Sequence, residues 1–197
     1  MSLTTPNIDQ QQHLTVFCGP MFAGKTQSLI SNYLNIAETS RIAIKPSIDI
    51  RFPCDHIVSH DGASIPAISL HDLQHVESIA GDPAITDVFI DEGQFFIDLA
   101  DKSASLMSLG KNVWVAGLNA TADQRPWQSM SEIMAMADDI MHLKASKCHA
   151  CIFRQGSHTI MHPWILTNSE ATSSIKIGSG ETYRTVCRHC LSLTIKR

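Results

Sequence analysis

The spacing of apolar and polar positions changes repeatedly along most of the chain, and each change predicts a new strand or helix. Residues 14–18 form a short apolar run of strand-favouring residues, and Gly19-Pro20 ends it. From Lys25 onward, apolar residues recur every three or four positions, which predicts a helix with one buried face. By the same criteria, the sequence predicts further strands at 41–45, 85–90, 112–118 and 140–143 and further helices at 71–80, 97–109 and 127–137.

This alternation predicts an α/β fold, because strands separated by helices are typical of a parallel sheet with helices on both faces. The stretch 46–70 departs from it, since three prolines and Asp61-Gly62 predict an irregular, loop-like region. The predicted organisation is a polar N-terminal tail, an α/β domain, a smaller cysteine-containing domain and a C-terminal tail. These four parts span residues 1–12, 13–145, 146–192 and 193–197.

The composition of the 197-residue chain argues against several classes of protein. Apolar residues make up 44% and charged residues 17%, so the chain can build a core and is not expected to be disordered. The formal net charge of −4 argues against a basic surface for nucleic acid. The apolar runs are far shorter than the roughly 18–20 residues of a membrane span, and the polar N-terminus lacks the apolar region of a secretion signal. We therefore expect neither a membrane nor nucleic acid as a partner.

Six cysteines provide the next signal, because four of them form two C-x-x-C pairs. Each pair can present two thiolates to one ion, and two pairs complete a tetrahedral set of four sulfurs. Without an export signal, disulfide bonds are the weaker explanation; an iron–sulfur cluster could use the same ligands, but zinc is the commoner occupant. Four protein ligands leave no open position, so the metal is expected to be structural. The predicted ligands are Cys148, Cys151, Cys187 and Cys190, whereas Cys18 and Cys54 are expected to be buried apolar residues.

Residues 19–26 match the phosphate-binding pattern GxxxxGK[ST], and they follow a predicted strand and open a predicted helix, as that loop requires. Glycines let backbone N–H groups curl around an anion, and the helix N-terminus adds a partial positive charge. Lys25 is predicted to neutralise the β- and γ-phosphates, and the hydroxyl of Thr26 is predicted to bind Mg²⁺.

Residues 88–91 supply the acidic partner that such a loop needs, as three apolar residues followed by a carboxylate. The sequence predicts that they lie on a strand neighbouring that of the loop, where Asp91 holds hydrated Mg²⁺. Glu92 follows directly. Adjacent carboxylates at a strand end can serve different functions, because one can face the metal while the other faces an attacking hydroxyl or water.

At residues 91–96, Asp-Glu-Gly-Gln-Phe-Phe, the sequence resembles the thymidine kinases of the cellular, zinc-containing type, also called type II. The resemblance includes the phosphate-binding loop and both cysteine pairs, so it covers nearly the whole chain. Lys45, Asp49, Arg51 and Phe52 resemble the family's K-x₃-D-x-R-[YF] segment, and residues 60–61 resemble its His-Asp pair.

The resemblance implies a recombinase-like P-loop core with a small zinc-bound lasso domain. It also implies that the protein transfers phosphate from ATP to the 5′-hydroxyl of thymidine or deoxyuridine, with Glu92 as the general base. The implied ATP contacts are Gly19, Pro20, Met21, Phe22, Ala23, Gly24, Lys25, Thr26, Asp91, Glu92, Gly93 and Gln94, with Mg²⁺ at Thr26 and Asp91. The implied nucleoside contacts are Met21, Asp49, Arg51, Phe95, Leu118, Thr159, Ile177, Gly178 and Tyr183. The resemblance further implies a cytoplasmic homotetramer that is inhibited by thymidine triphosphate.

Two other function classes stay open on the sequence alone. A P-loop ATPase that moves on DNA would use the cysteine pairs to bind nucleic acid, but it needs a basic surface with interspersed aromatic residues, and only 6% of the residues are aromatic. A non-enzymatic zinc-ribbon interaction protein leaves the loop at 19–26 and Asp91-Glu92 unexplained. The chain also differs from the relatives' pattern at Asn119, Ala122 and Trp127, which bears on the range of substrates.

Overall fold

The computed structural model describes residues 12–51, 53–121, 123–145, 148–151, 163–167 and 183–195. From residue 14 to residue 142, strands and helices alternate as the apolar spacing predicts, except over residues 41–70, where four strands follow one another. The strands are β1 (Leu14–Gly19), β2 (Arg41–Pro46), β3 (His56–Val58), β4 (Ser64–Pro66), β5 (Ile68–Leu70), β6 (Asp87–Ile90), β7 (Asn112–Leu118), β8 (Asp139–His142), β9 (Pro163–Thr167) and β10 (Tyr183–Cys187). The helices are α1 (Lys25–Asn35), α2 (Val76–Ile79), α3 (Leu99–Ser108), α4 (Gln128–Met136) and α5 (Arg188–Ile195).

Six of these strands form one sheet in the order β5-β2-β6-β7-β1-β8, and all neighbouring strands in it are parallel. The carboxyl ends of the strands therefore meet at one edge, where the loops that follow them can combine their side chains. The predicted α/β fold with a parallel sheet is confirmed. The strand order corrects one detail, because β7 lies between β1 and β6. The strand before Asp91 is thus not the neighbour of the strand before the phosphate-binding loop.

Hydrophobic clusters cover both faces of the sheet, because successive side chains of a strand point to opposite faces. On one face, Leu29 of α1 packs in a cluster with Phe17 and Phe89. On the other face, Met130 of α4 packs in a cluster with Val16. The adjacent residues Val16 and Phe17 are 0% and 1% exposed. Helices on both faces therefore bury β1 and β6 along their whole length, as the α/β prediction requires.

Residues 46–70 are more regular than the sequence predicts. β3 and β4 form an antiparallel hairpin, and β5 joins the sheet beside β2. The hairpin is packed onto the α1 face, with Ile57 and Ile65 2% and 1% exposed. The prolines do not prevent this pairing, because Pro46 and Pro66 each occupy the last position of a strand, where a missing N–H is tolerated.

Two predicted helices begin at least two residues later in the structure than the sequence predicts. Of the helix predicted at 71–80, only α2 is helical, because the backbone N–H of Leu73 donates a hydrogen bond to the carboxylate of Asp98 at 3.1 Å. This long-range bond holds the residues before α2 in turns. The helix predicted at 97–109 begins only at Leu99, and Ile97 is 91% exposed.

The remaining strands, β9 and β10, pair antiparallel, and α5 follows directly. Val186, Leu191 and three of the paired cysteines form a separate small hydrophobic cluster. This third cluster is separate from the two that pack on the sheet, and the four-part division of the chain stays a prediction. Among the described residues, no helix is both long enough and apolar enough to cross a membrane.

The two isolated cysteines lie in different surroundings. Cys18 is 3% exposed in β1, as predicted. Cys54 is exposed, so the prediction that it is buried is wrong. It lies in the turn that leads into β3, outside both hydrophobic clusters of the sheet.

Candidate active site and metal centre

The phosphate-binding loop connects the end of β1 to the start of α1. Gly19 has a φ of +147°, and a Cβ at this position would lie 2.3 Å from the carbonyl oxygen of Leu143. Gly24, at the N-cap of α1, has a φ of +81°, in the left-handed region that glycine adopts without strain. The loop therefore needs both glycines to curl in front of the helix. On its outer side, the ring of Phe22 contacts His60 edge-to-face, with ring centroids 5.7 Å apart.

Lys25 is the first residue of α1, and it is only 9% exposed. Its Nζ donates a hydrogen bond to the carbonyl oxygen of Pro20, 2.7 Å away. Burial lowers the pKa of Lys25, and the nearby carboxylates of Glu92 and Asp91 partly offset this effect. The amino group therefore lies against the loop backbone, where a phosphate group could replace the carbonyl oxygen as its partner.

Thr26 and Asp91 meet although 65 positions separate them in the chain. The hydroxyl of Thr26 donates to the carboxylate of Asp91, whose two oxygens both lie 3.2 Å away. Asp91 directly follows β6 and is 6% exposed. Burial and the adjacent charge of Glu92 raise the pKa of Asp91 to about 7. A carboxylate and a hydroxyl are oxygen donors of the kind that Mg²⁺ prefers, so this pair fits the predicted ion.

Glu92 turns away from Asp91 because its backbone is in the left-handed region, with φ 50° and ψ 42°. This conformation costs about 1–3 kcal/mol for a residue other than glycine, so the surrounding structure must impose it. The next residue, Gly93, is packed so closely that a Cβ there would lie 2.8 Å from Val115. The turn sends the two adjacent carboxylates in different directions, with Asp91 toward the phosphate-binding loop and Glu92 toward Arg51.

Arg51 connects Glu92 to Asp49. Its guanidinium donates to both carboxylate oxygens of Asp49, from Nε at 2.6 Å and from Nη2 at 3.0 Å, and Nη2 also donates to Oε1 of Glu92. Burial alone would raise the pKa of Asp49, but the hydrogen bonds and charge of Arg51 outweigh it and hold that pKa below its ordinary value. The cluster lies close enough to the phosphate-binding loop that the charges of Glu92 and Arg51 both affect the pKa of Lys25.

Gln94 holds the other oxygen of Glu92. Its buried side-chain amide donates to Oε2 of Glu92 at 2.6 Å and accepts a hydrogen bond from the backbone N–H of Leu118 at 2.9 Å. The backbone carbonyl of Gln94 accepts a hydrogen bond from the hydroxyl of Ser129 at 3.2 Å. Gln94 therefore links the ends of β6 and β7 with α4. The contact of Gln94 with ATP stays a prediction. The hydrogen bonds by which Gln94 connects Glu92 to Leu118 were not predicted, because they depend on the order of the strands in the sheet.

Three of the predicted nucleoside contacts, Met21, Phe95 and Leu118, are partly buried. The ring of Phe95 packs edge-to-face against Trp127, with ring centroids 5.7 Å apart. Trp127, one of the positions that differ from the relatives' pattern, therefore supports a predicted wall of the nucleoside site. Three further predicted nucleoside contacts, Thr159, Ile177 and Gly178, lie outside the described residues. For a fourth, Tyr183, the structure describes the backbone but not the side chain.

The four predicted zinc ligands come together where residues 148–151, the end of β10 and the start of α5 meet. All their sulfur atoms lie within 4.8 Å of one another, and Sγ of Cys151 is 3.9 Å from that of Cys187 and 3.5 Å from that of Cys190. Tetrahedral zinc with Zn–S bonds of about 2.3 Å places sulfurs about 3.8 Å apart. Burial opposes ionisation of Cys148, but hydrogen bonds from backbone N–H groups lower its pKa to about 7. The donor set and its spacing therefore fit one thiolate-bound ion.

Comparison with known proteins identifies the family. A sequence model of the family described as thymidine kinase matches residues 12–191. The chain belongs to the thymidine kinase family. The thymidine kinases of Pseudothermotoga lettingae, rabbit fibroma virus and Mycoplasma mobile are 34%, 31% and 31% identical to it over 181, 180 and 180 residues. Each alignment covers 90% of this chain, and the three cover 93%, 95% and 86% of those proteins, respectively.

Membership of the thymidine kinase family confirms the resemblance and makes the protein an enzyme of the kinase class, so the non-enzymatic zinc-ribbon alternative falls away. In this member of the family, the structure brings seven predicted site residues together at one edge of the sheet. They are Lys25, Thr26, Asp49, Arg51, Asp91, Glu92 and Gln94. The contacts of Lys45 with the segment around Arg51 were not predicted. Its place in the K-x₃-D-x-R segment was the available signal.

Proposed function

We propose that this protein transfers the γ-phosphoryl group of ATP to the 5′-hydroxyl of thymidine, and of deoxyuridine, to give the nucleoside monophosphate and ADP. Membership of the thymidine kinase family supports thymidine phosphorylation. The chemical roles that we assign to Asp91 and Glu92 depend on one observation: these adjacent carboxylates point in different directions. Asp91 bonds to Thr26 of the phosphate-binding loop, while Glu92 bonds to Arg51. Phosphoryl transfer needs little beyond phosphate binding, charge neutralisation and a positioned base.

On the ATP side, the groups that would bind the phosphates are already directed toward the loop. Lys25 bonds to the carbonyl oxygen of Pro20, and Thr26 bonds to Asp91. ATP and Mg²⁺ would replace these partners, so little side-chain movement is needed, which favours catalysis by preorganisation. Mg²⁺ held by Thr26 and Asp91 would neutralise charge on the β- and γ-phosphates. The backbone contacts of residues 19–24 and of Gly93-Gln94 with ATP belong to the same proposal.

On the nucleoside side, Glu92 takes the proton of the 5′-hydroxyl as that oxygen bonds to the γ-phosphorus. The bond between this phosphorus and the β,γ-bridging oxygen breaks, and ADP leaves with the electron pair. Arg51 lies beside Glu92 and can bind the 5′-oxygen or a phosphate oxygen, because a guanidinium presents several donors. Asp49 anchors Arg51 through two hydrogen bonds and is proposed to contact the nucleoside.

The thymine base is proposed to lie among Met21, Phe95 and Leu118, since a flat pyrimidine packs well against aromatic and thioether groups. Phe95 is supported from behind by Trp127. Residues of the lasso are proposed to complete the site and to read the hydrogen-bonding edge of the base. A site with buried polar groups rejects bases with the wrong edge. These lasso residues are Thr159, Ile177, Gly178 and Tyr183.

A structural zinc ion is proposed at Cys148, Cys151, Cys187 and Cys190. It would fix both ends of the 35-residue segment between the cysteine pairs, which must admit the nucleoside and then exclude water. The geometry of the four sulfurs supports this proposal. A homotetramer, a cytoplasmic location and inhibition by thymidine triphosphate are further proposals that the family resemblance supports. We propose no membrane or nucleic acid partner.

A coupled assay of ADP release, with the nucleoside product identified by chromatography, tests the proposed function. We expect ADP release to require thymidine and to match the thymidine monophosphate formed mole for mole. Deoxyuridine should serve as a second substrate. Equal ADP release with and without nucleoside would instead identify an ATPase. Formation of another nucleotide but no thymidine monophosphate would refute the assignment of the substrate.

A further inference from the structure

Lys45 is a buried basic residue that has no part in the proposed reaction. It lies in β2 and is 1% exposed. A buried amino group is costly unless its N–H donors have partners. Its described partners all belong to one short segment, 49–56. Nζ lies 3.3 Å from the carbonyl oxygen of Pro53, 3.2 Å from that of His56 and 3.9 Å from the carboxylate of Asp49.

These partners lie on both sides of Arg51 in the chain. Asp49 precedes Arg51, and Pro53 and His56 follow it, so Lys45 ties together the two ends of the segment that carries the guanidinium. Asp49 is 7% exposed and accepts two hydrogen bonds from Arg51. Lys45, Asp49, Arg51 and Glu92 thus form a row of alternating positive and negative charges that ends at the proposed base.

We propose that Lys45 is a positioning residue, which holds segment 49–56 in the conformation that places Arg51 on Glu92. The proposal rests on the proposed function, because the orientation of Glu92 and Arg51 affects turnover only if these groups act on the nucleoside. Lys45 is not a catalytic residue. It is buried behind Asp49 and acts through Asp49 and Arg51.

The competing explanation is that Lys45 only stabilises the fold. Lys111, a second buried lysine, provides a matched control that tests this explanation. Lys111 is 5% exposed, and its Nζ also donates to two backbone carbonyls, those of Asp82 at 2.9 Å and Ile85 at 2.6 Å. It precedes β7, at the amino-terminal edge of the parallel sheet. The candidate site lies at the opposite edge, so loss of Lys111 removes a similar set of bonds without disturbing Arg51.

The test compares Lys45→Met and Lys111→Met in the full chain, with kcat, the KM values for thymidine and ATP, and the melting temperature as readouts. We expect both variants to melt at lower temperature than the wild type. Well below those temperatures, Lys45→Met should lower kcat/KM for thymidine by about 10- to 100-fold, because small displacements of reacting groups have effects of this size. Its KM for ATP should change less than about twofold, and Lys111→Met should keep kcat/KM within about twofold of the wild type. Lys45→Arg, which keeps the charge and the donors, should restore part of the activity.

A double-mutant cycle with Arg51→Met tests whether Lys45 acts through Arg51. In the Arg51→Met background, Lys45→Met should lower kcat/KM by less than about twofold further. Equal losses in both backgrounds would overturn the proposal, as would equal kcat/KM values for Lys45→Met and Lys111→Met. If Lys45→Met does not fold, Lys45→Gln replaces it under the same criteria. Failure of the proposed function can be told apart from failure of this proposal. If the proposed function is wrong, the wild type forms no thymidine monophosphate, or Glu92→Gln turns over at the wild-type rate.

Discussion

Arg51 donates a hydrogen bond to Glu92 from 41 positions earlier in the chain. Gln94 donates to the other oxygen of the same carboxylate, so both oxygens of the proposed base are held in the free protein. A nucleoside hydroxyl can use a remaining lone pair of this carboxylate or take the place of one of these donors. Gln94 is 4% exposed and also bonded to Leu118, whereas the side chain of Arg51 is 26% exposed. If one of the two donors gives way when the nucleoside binds, we expect it to be Arg51 and not Gln94.

Replacement of Glu92 by glutamine should remove the proposed base and keep the size of the side chain. We expect kcat for thymidine phosphorylation to fall by about 10²–10⁴-fold, with ATP binding retained, because general-base catalysis contributes rate factors of this size. Steady-state kinetics and a nucleotide-binding measurement check this expectation. Glu77→Gln is the control, since Glu77 pairs with Lys102 on α3, at 2.9 Å, and should leave kcat unchanged. Unchanged turnover in Glu92→Gln would show that Glu92 is not the base.

Loss of the hydroxyl of Thr26 should lower the apparent affinity of the enzyme for Mg²⁺. Thr26→Ala leaves Asp91 without its hydroxyl partner and removes one proposed ligand of the ion, so the Mg²⁺ concentration that gives half-maximal activity should rise at least about tenfold. Thr26→Ser keeps the hydroxyl and should stay close to the wild type. Titration of activity with Mg²⁺ at fixed ATP separates the three proteins. Identical titration curves for all three would contradict the assignment of Thr26.

Loss of one thiolate from the cysteine cluster should release the metal. In Cys187→Ser, we expect less than one zinc per chain and a melting temperature lower by more than about 5 °C, because the binding energy of a structural ion contributes to folding. Elemental analysis and thermal unfolding measure these two quantities. Cys54→Ser, which changes an exposed cysteine outside the cluster, should alter neither. A full zinc content and an unchanged melting temperature in Cys187→Ser would rule out the four-cysteine site.

The pairing of Asp49 with Arg51 should make stability depend on pH. Since the pKa of Asp49 in the folded protein lies below its ordinary value of 3.8, the ionised carboxylate stabilises the fold above that pH. This stabilisation is lost as the pH falls through the folded-state pKa. Asp49→Asn should therefore be less stable than the wild type at pH 7, by about 1–3 kcal/mol. The difference should shrink as the pH falls below 3.8.

Urea denaturation of the wild type and Asp49→Asn, at pH 7 and at a series of pH values below 3.8, measures this difference in the free energy of unfolding. A difference that stays constant, or that grows on acidification, would show that the carboxylate is not stabilised by its charge.

Local sequence signals predicted the elements that bury a continuous apolar face. The spacing of apolar residues placed β7 at the residues the structure shows, and the loop pattern at 19–26 placed the start of α1 at Lys25. Prediction was weaker where distant contacts decide the conformation. Residues 46–70 pair as β3, β4 and β5 because β2 and the α1 face are available to them. The turns before α2 depend on the bond between Leu73 and Asp98.

The sequence by itself determined the chemical groups, because the phosphate-binding loop, the adjacent carboxylates and the paired cysteines are each local patterns with a known chemistry. It also determined the family, since these patterns occur together in one order. Only the tertiary structure decided that β7 separates β1 from β6, that Arg51 reaches Glu92 and that Lys45 lies behind Asp49. Such contacts depend on strand order and on buried charges finding partners, and these are properties of the whole packed chain that no short segment contains.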